Sequence, residues 1–223
     1  MKQEFLEYGR FYHIYNKGIN SENIFREKDN YLHFLKLYDA YINPVANTFA
    51  WCLMPNHFHF LVRIKDENEI GYLNPENRKA KDADKKWQTF FPDENYTKHK
   101  ISDLKKPVPF RLFGHLFDAY AKAFNKRYNR DGNLFIKTFK RKLVDNESYM
   151  KELVRYINNN PVKHGFVEHT IEYPWTSYLS VLSTKVTKLE RKQVLSWFDS
   201  KENFAYCHKN TDNYVDIDDF IID

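Results

Sequence analysis

Residues 55–62 read Pro-Asn-His57-Phe58-His59-Phe60-Leu61-Val62, two imidazoles separated by one phenylalanine and followed by an apolar run. Alternate side chains of a β-strand share a face. His57 and His59 then project together, while Phe58, Phe60, Val62 and Ile64 line the other side. The apolar row needs helices packed behind it, and the imidazole pair needs a cover if it is to form a site. Two such rings can hold one divalent cation once a third ligand arrives from elsewhere. Strand histidines also serve in packing and hydrogen bonding, so the triplet alone leaves both uses open.

Working outward, residues 8–16 and 48–54 alternate as strands, and the Met54-Pro55-Asn56 turn makes 57–65 the hairpin partner of the second. Tyr31, Phe34, Leu35, Tyr38 and Ile42 recur at helical spacing over 27–42. Leu112, Leu116, Ala119, Tyr120, Ala123 and Phe124 do the same over 110–128. After a turn at 129–133, Leu134 to Val144 alternates as a strand, and Asp145 is placed to cap a helix over 146–160. The order predicts an α+β fold of the ferredoxin-like split β-α-β kind: a four-stranded antiparallel sheet with two helices on one face and an extra helix beyond. Residues 66–107 are rich in charge, poor in aliphatics and punctuated by proline. They predict an inserted, mobile excursion with a short helix near 78–87. The expected division is a domain over 1–180 and a C-terminal helical extension over 181–223, with a helix at 188–198 and an acidic tail.

Composition narrows the class. Aromatic residues make up 17% of the 223, enough for a real core, and mean hydropathy is −0.73 with no run long enough to cross a bilayer. No secretion signal is visible, and Cys52 and Cys207 are too far apart in sequence for a paired metal motif. A reduced cytoplasmic setting is expected. The chain carries +5 overall; its last fourteen residues hold five aspartates and no lysine or arginine, so residues 1–209 carry +10. That surplus favours a polyanionic partner.

Helix 146–160 is the element available to cover the histidines. At about 100° per residue, Tyr149, Leu153, Tyr156 and Asn160 fall on one face. Tyr156 and Asn160, four apart, present a phenol beside an amide. Pro161 disfavours helix at Asn160 and predicts the helix end there. A hydroxyl nucleophile and a neutral oxygen ligand facing two imidazoles would make a metal-assisted phosphoryl-transfer site. An inward tyrosine is also ordinary core, and Tyr120 and Tyr149 compete on the same reasoning. For strand binding, Lys126, Arg127, Arg130, Lys137, Lys140, Arg141 and Lys142 are interleaved with Tyr128, Phe135 and Phe139. Cations track phosphates and exposed aromatics stack on bases, although Phe135 and Phe139 share a face suited to the core. Lys163 and His164, just past the tyrosine helix, are placed to contact phosphate.

Five blocks carry a resemblance: YHIYNKG at 12–18, AWCLMPNHFHFLV at 50–62, FNKRYNRDGNLF at 124–135, RYINNNPVKHGFV at 155–167 and YPWTSY at 173–178. In order and spacing, from about residue 8 to 180, the chain resembles the REP-associated tyrosine transposases, relatives of single-strand insertion-sequence transposases of the HUH class. The resemblance implies a ferredoxin-like HUH nuclease fold, with His57 and His59 as ligands of Mg²⁺ or Mn²⁺. It further implies Tyr156 as nucleophile, and Asn160 where a polar side chain completes the metal shell. The activity implied is nicking and rejoining of single-stranded, hairpin-bearing DNA through a 5′-phosphotyrosine, by a nucleoid-associated monomer or homodimer. The insertion and the extension past residue 180 depart from the shorter members. Two rivals remain: a catalytically silent nucleic-acid-binding module on the same fold, and a zinc hydrolase, which the lack of an H-E-x-x-H pattern weakens.

Overall fold

The computed structural model describes residues 5–136 and 138–209; Lys137 and the acidic tail lie outside them. Strand β1 (Phe11–Lys17) leads to helix α1 (Lys28–Ile42), then to the hairpin β2 (Ala46–Leu53) and β3 (His57–Ile64). The insertion follows, with β4 (Tyr72–Leu73), the short helix α2 (Ala83–Lys86) and β5 (Thr89–Phe90). Next come α3 (Pro109–Arg127), β6 (Lys140–Val144) and α4 (Glu147–Lys163), then α5 (Tyr178–Leu182), α6 (Arg191–Trp197) and α7 (Lys201–Lys209).

The main sheet has the order β2-β3-β1-β6 with every neighbouring pair antiparallel. That is the order expected of the split β-α-β arrangement. Phe58, Phe60, Val62 and Ile64 pack with Phe34 and Tyr38 of α1 and with Phe113, Phe117 and Tyr120 of α3. Each fully buried phenylalanine is worth about 1.5–3 kcal/mol. A one-residue slip of β3 would bring the histidines to this layer and the phenylalanines to the other, so the apolar row fixes the register.

The second face is buried too. Helix α4 packs there through Leu153, Val154, Tyr156 and Ile157, joined by Val194, Phe198 and Phe204 from the C-terminal helices. Those helices also meet the far side of α4 through polar contacts. Arg155 Nε donates to the Cys207 carbonyl at 3.0 Å, and its Nη1 pairs with Glu152 at 2.8 Å. Asn158 accepts from Ser177 Oγ at 2.7 Å and donates to His208 Nε2 at 3.3 Å. Asn159 donates to the His208 carbonyl at 3.1 Å and accepts from the Thr170 hydroxyl.

Three local expectations change. The cap of α4 is Asn146, which accepts from the amides of Ser148 and Tyr149, rather than Asp145. The helix runs through Pro161 to Lys163. A proline so near the end forfeits only one intrahelical bond, and the last turn closes by His164 N–H to Asn160 O at 3.0 Å. The strand expected from Leu134 begins only at Lys140: Phe135 makes an isolated bridge to Gly18, and Thr138 has φ +60°, which breaks the extended run. Phe135 and Phe139 are buried in the first core. The insertion is anchored as well: Ile70 is buried with Val45 and Leu112, and the Trp87 ring stacks on His115 with centroids 5.3 Å apart.

Candidate active site

Register brings the histidines their neighbours. Across the β1–β3 ladder, Tyr15 stands opposite His59 and Lys17 opposite His57, and directly opposed residues share a face. Helix α4 lies over this face. The Tyr156 ring meets His59 edge-on, centroids 5.5 Å apart, and His57 and His59 stand 5.1 Å apart. A cavity of about 620 Å³ opens here, walled by Tyr15, Lys17, His57, His59, Lys140, Tyr156, Lys163 and His164 among others, with no Asp or Glu among the described residues of its lining. The Lys163 ammonium is 5.6 Å from the Tyr156 ring centroid, and the His164 ring is 5.3 Å from His57.

His57 Nδ1 lies 2.7 Å from Asn56 Oδ1, and His57 Nε2 lies 2.9 Å from Asn160 Oδ1. A neutral imidazole has one N–H. If Nδ1 donates to Asn56, the Nε2 lone pair faces the amide oxygen of Asn160, electron pair to electron pair. The Asn160 amide nitrogen is itself buried with no hydrogen-bond partner among the described residues. Two donor atoms aimed at one point fit a cation. Among the described residues no three His, Cys, Asp or Glu side chains converge as a metal cluster, and the oxygen that stands beside the histidine pair is that of Asn160. Two imidazoles and one amide are neutral and few, which suits a divalent ion that keeps positions open for water and phosphate oxygen.

His59 is backed by a residue to which the sequence reading gave no role. His13 Nε2 lies 3.0 Å from His59 Nδ1. Burial, reinforced by Lys142, lowers the His13 pKa to about 3. Burial, then His13, His57 and His164, holds His59 well below the ordinary histidine value. Both rings are therefore neutral near pH 7, and His59 is available as an electron-pair donor. The alternation of His13, Tyr15 and Lys17 along β1 was the signal that could have found these three.

The remaining sequence candidates separate. Lys140, Lys163 and His164 wall the cavity. Lys142 lies over the Tyr149 ring at 5.6 Å, while Arg141 lies over Phe110 at 4.8 Å on the opposite face. Arg127 is paired with Glu27 at 2.8 Å and Asp29 at 3.2 Å, and Arg130 with Glu22 at 2.7 Å. Those pairs tie the end of α3 and the turn after it to the start of α1 and the chain before it; neither arginine is in the cavity lining, although Glu22 stands between the lining residues Ser21 and Asn23. Lys126 is exposed, also outside that lining. Of the three tyrosines weighed, Tyr156 alone lines the cavity. Tyr120 is buried in the first core, where its hydroxyl donates to Ile24 O at 2.5 Å. Burial pushes the Tyr149 pKa up to about 12.

No protein-family model matches the chain. A curated relative from Haemophilus influenzae, described as a REP-associated tyrosine transposase, is 26% identical over 133 residues. The match takes in 59% of this chain and 58% of the relative, so the chain spans little more than half of that protein's length. A solved structure of a REP-associated tyrosine transposase bound to a REP hairpin aligns at a TM-score of 0.48 and 16% identity, covering 82% of this chain and 86% of the other. No described helix is long and apolar enough to cross a membrane. Its sequence makes this chain similar to the REP-associated tyrosine transposases.

Proposed function

We propose that the chain nicks and rejoins single-stranded DNA by transesterification, with Tyr156 as nucleophile. The observation that carries this reading is the Tyr156 ring edge-on to His59, itself beside His57, within a cavity whose charged walls among the described residues are all cationic. The Tyr156 oxygen attacks the scissile phosphorus, and the bond from phosphorus to the 3′ oxygen breaks. One proton leaves the phenol and one is taken up by the 3′ oxygen. The products are a 5′-phosphotyrosine and a free 3′-hydroxyl, and a DNA hydroxyl reverses the step to rejoin strands.

His57, His59 and Asn160 would hold Mg²⁺ or Mn²⁺, which when bound supplies charge stabilisation at a non-bridging phosphate oxygen. The protein's own residues do the rest. A free phenol of pKa near 10 is about 0.1% ionised at neutral pH, a cost of roughly 4 kcal/mol. The Lys163 ammonium beside the ring favours the phenolate, and Lys17 and Lys140 attract the flanking backbone. The substrate proposed is hairpin-bearing single-stranded DNA, processed by a protein working at the nucleoid.

The test is a labelled hairpin-bearing oligonucleotide incubated with the protein and Mn²⁺, then denatured and resolved by size. A covalent adduct is expected, and Tyr156→Phe should abolish it. An adduct that survives the substitution moves the nucleophile to Tyr15, the other cavity tyrosine. Metal-independent binding with no adduct favours the silent module.

A further inference from the structure

We infer that Phe166 is a stacking platform for one unpaired base of the DNA beside the scissile phosphate. This assignment rests on the reading of the cavity as a single-stranded DNA site, and deepens it by giving the strand a base subsite.

Phe166 is 53% exposed and lines the cavity together with Lys163 and His164. Its backbone is held in a stiff geometry. Gly165 has φ +69°, its N–H bonds to Val162 O at 3.0 Å, and the Phe166 N–H bonds to Pro161 O at 2.9 Å. That pair of bonds is a Schellman closure of α4, in which the residue after the glycine commonly turns back onto the helix to bury itself against an apolar side chain. Here the positions it would cover are Asn160, fully buried, and Pro161. The ring remains on the rim instead.

Exposed phenylalanines are common and individually mean little. This one stands on the same turn as two groups that reach the reacting centre, Lys163 beside Tyr156 and His164 beside His57. A phosphate drawn to that centre brings its attached nucleotides to the rim. Among the described residues the wall contains Lys17, Lys140 and Lys163 and no carboxylate, which favours a polyanion over a peptide or a neutral ligand. An aromatic face is what a polyanion with flat bases can use in addition to charge.

The experiment measures non-covalent binding of hairpin-bearing single-stranded DNA by fluorescence anisotropy, in a Tyr156→Phe background that blocks attachment. Phe166→Ala is expected to weaken binding by about tenfold, as removal of one stacking aromatic does. Phe166→Leu should lose most of the same affinity, and Phe166→Trp should keep it. Abasic nucleotides are then placed one at a time along the oligonucleotide. One position should weaken the Phe166 protein and leave Phe166→Ala unaffected. Binding within twofold after Phe166→Ala, full rescue by leucine, or equal abasic sensitivity in both proteins overturns the assignment. If the protein with Tyr156 restored still forms its adduct in those cases, only the base subsite falls. Absence of both DNA binding and adduct in the unaltered protein takes the parent reading with it.

Discussion

His57 Nε2 and Asn160 Oδ1 stand 2.9 Å apart, joining a strand to the last turn of a helix more than a hundred residues later. The contact leaves the other half of the Asn160 amide buried without a partner among the described residues. A buried amide group without a partner calls for an explanation, and packing and the ligand role proposed above are the two to weigh.

Asn160→Ala separates those two roles. Removing an unsatisfied buried N–H relieves a penalty of about 1–3 kcal/mol, which offsets the packing lost. Thermal stability should therefore hold, while the Mn²⁺ concentration needed for adduct formation rises by about tenfold or more, comparable to losses from perturbing a metal site. A variant that loses stability and keeps its metal response would make Asn160 a structural residue.

Within one chain, Tyr156 already lies over that chain's own histidines. The site should therefore act in cis. Mixing Tyr156→Phe with His57→Ala protein is expected to yield no adduct. Recovery of adduct in the mixture would show that subunits exchange the tyrosine helix.

Stability should fall with acid. Burial lowers the His208 pKa to about 4 and the His13 pKa to about 3, both from 6.5. A folded-state pKa below the unfolded one means that the unfolded chain takes up the proton first as pH drops. Each group's contribution is complete above pH 6.5 and is lost toward its folded pKa, at about 1.4 kcal/mol per pH unit. His208 is the cleaner probe, with Nδ1–H donating to Phe204 O at 2.7 Å and Asn158 facing Nε2. Urea midpoints should decline from pH 7 to pH 5, less steeply in His208→Gln. A flat profile for the unaltered protein would show that these rings charge without unfolding cost.

Gly165→Ala probes the turn after α4. An added Cβ meets nothing within 4 Å, so the cost is conformational, at φ +69°. About 1 kcal/mol is expected, or a melting temperature lower by about 2–4 °C in a chain of this size. No loss at all would mean that the Schellman closure is not kept in solution.

The fold was legible wherever periodicity is local. The alternation through His57–Ile64 gave β3 and its two faces, and the 100° step of α4 gave the Tyr156–Asn160 face. What stayed hidden depends on pairing distant segments. The alternation along β1 puts His13 on one face with Tyr15 and Lys17, but only the β1–β3 register gives it His59 as a neighbour. Arg127 and Arg130 read as strand-binding cations because their acids, Glu27, Asp29 and Glu22, lie about a hundred residues earlier. The run Asn158-Asn159-Asn160 is a poor helix sequence, and that weakness was itself a signal. Each amide has its own destination: Ser177 and His208, Thr170 and the His208 carbonyl, and His57.

That division of the three amides bears on how a joined strand would travel. With Asn158 and Asn159 bonded to the C-terminal segments on one side and Leu153, Val154 and Ile157 packed with Phe49, Ala50 and Leu61 of the sheet on the other, α4 is held from both sides. A 5′ end bonded to Tyr156 would thus stay parked at the sheet, and any exchange of partners would fall to the loose 3′ end, arriving from solution to a stationary anchor.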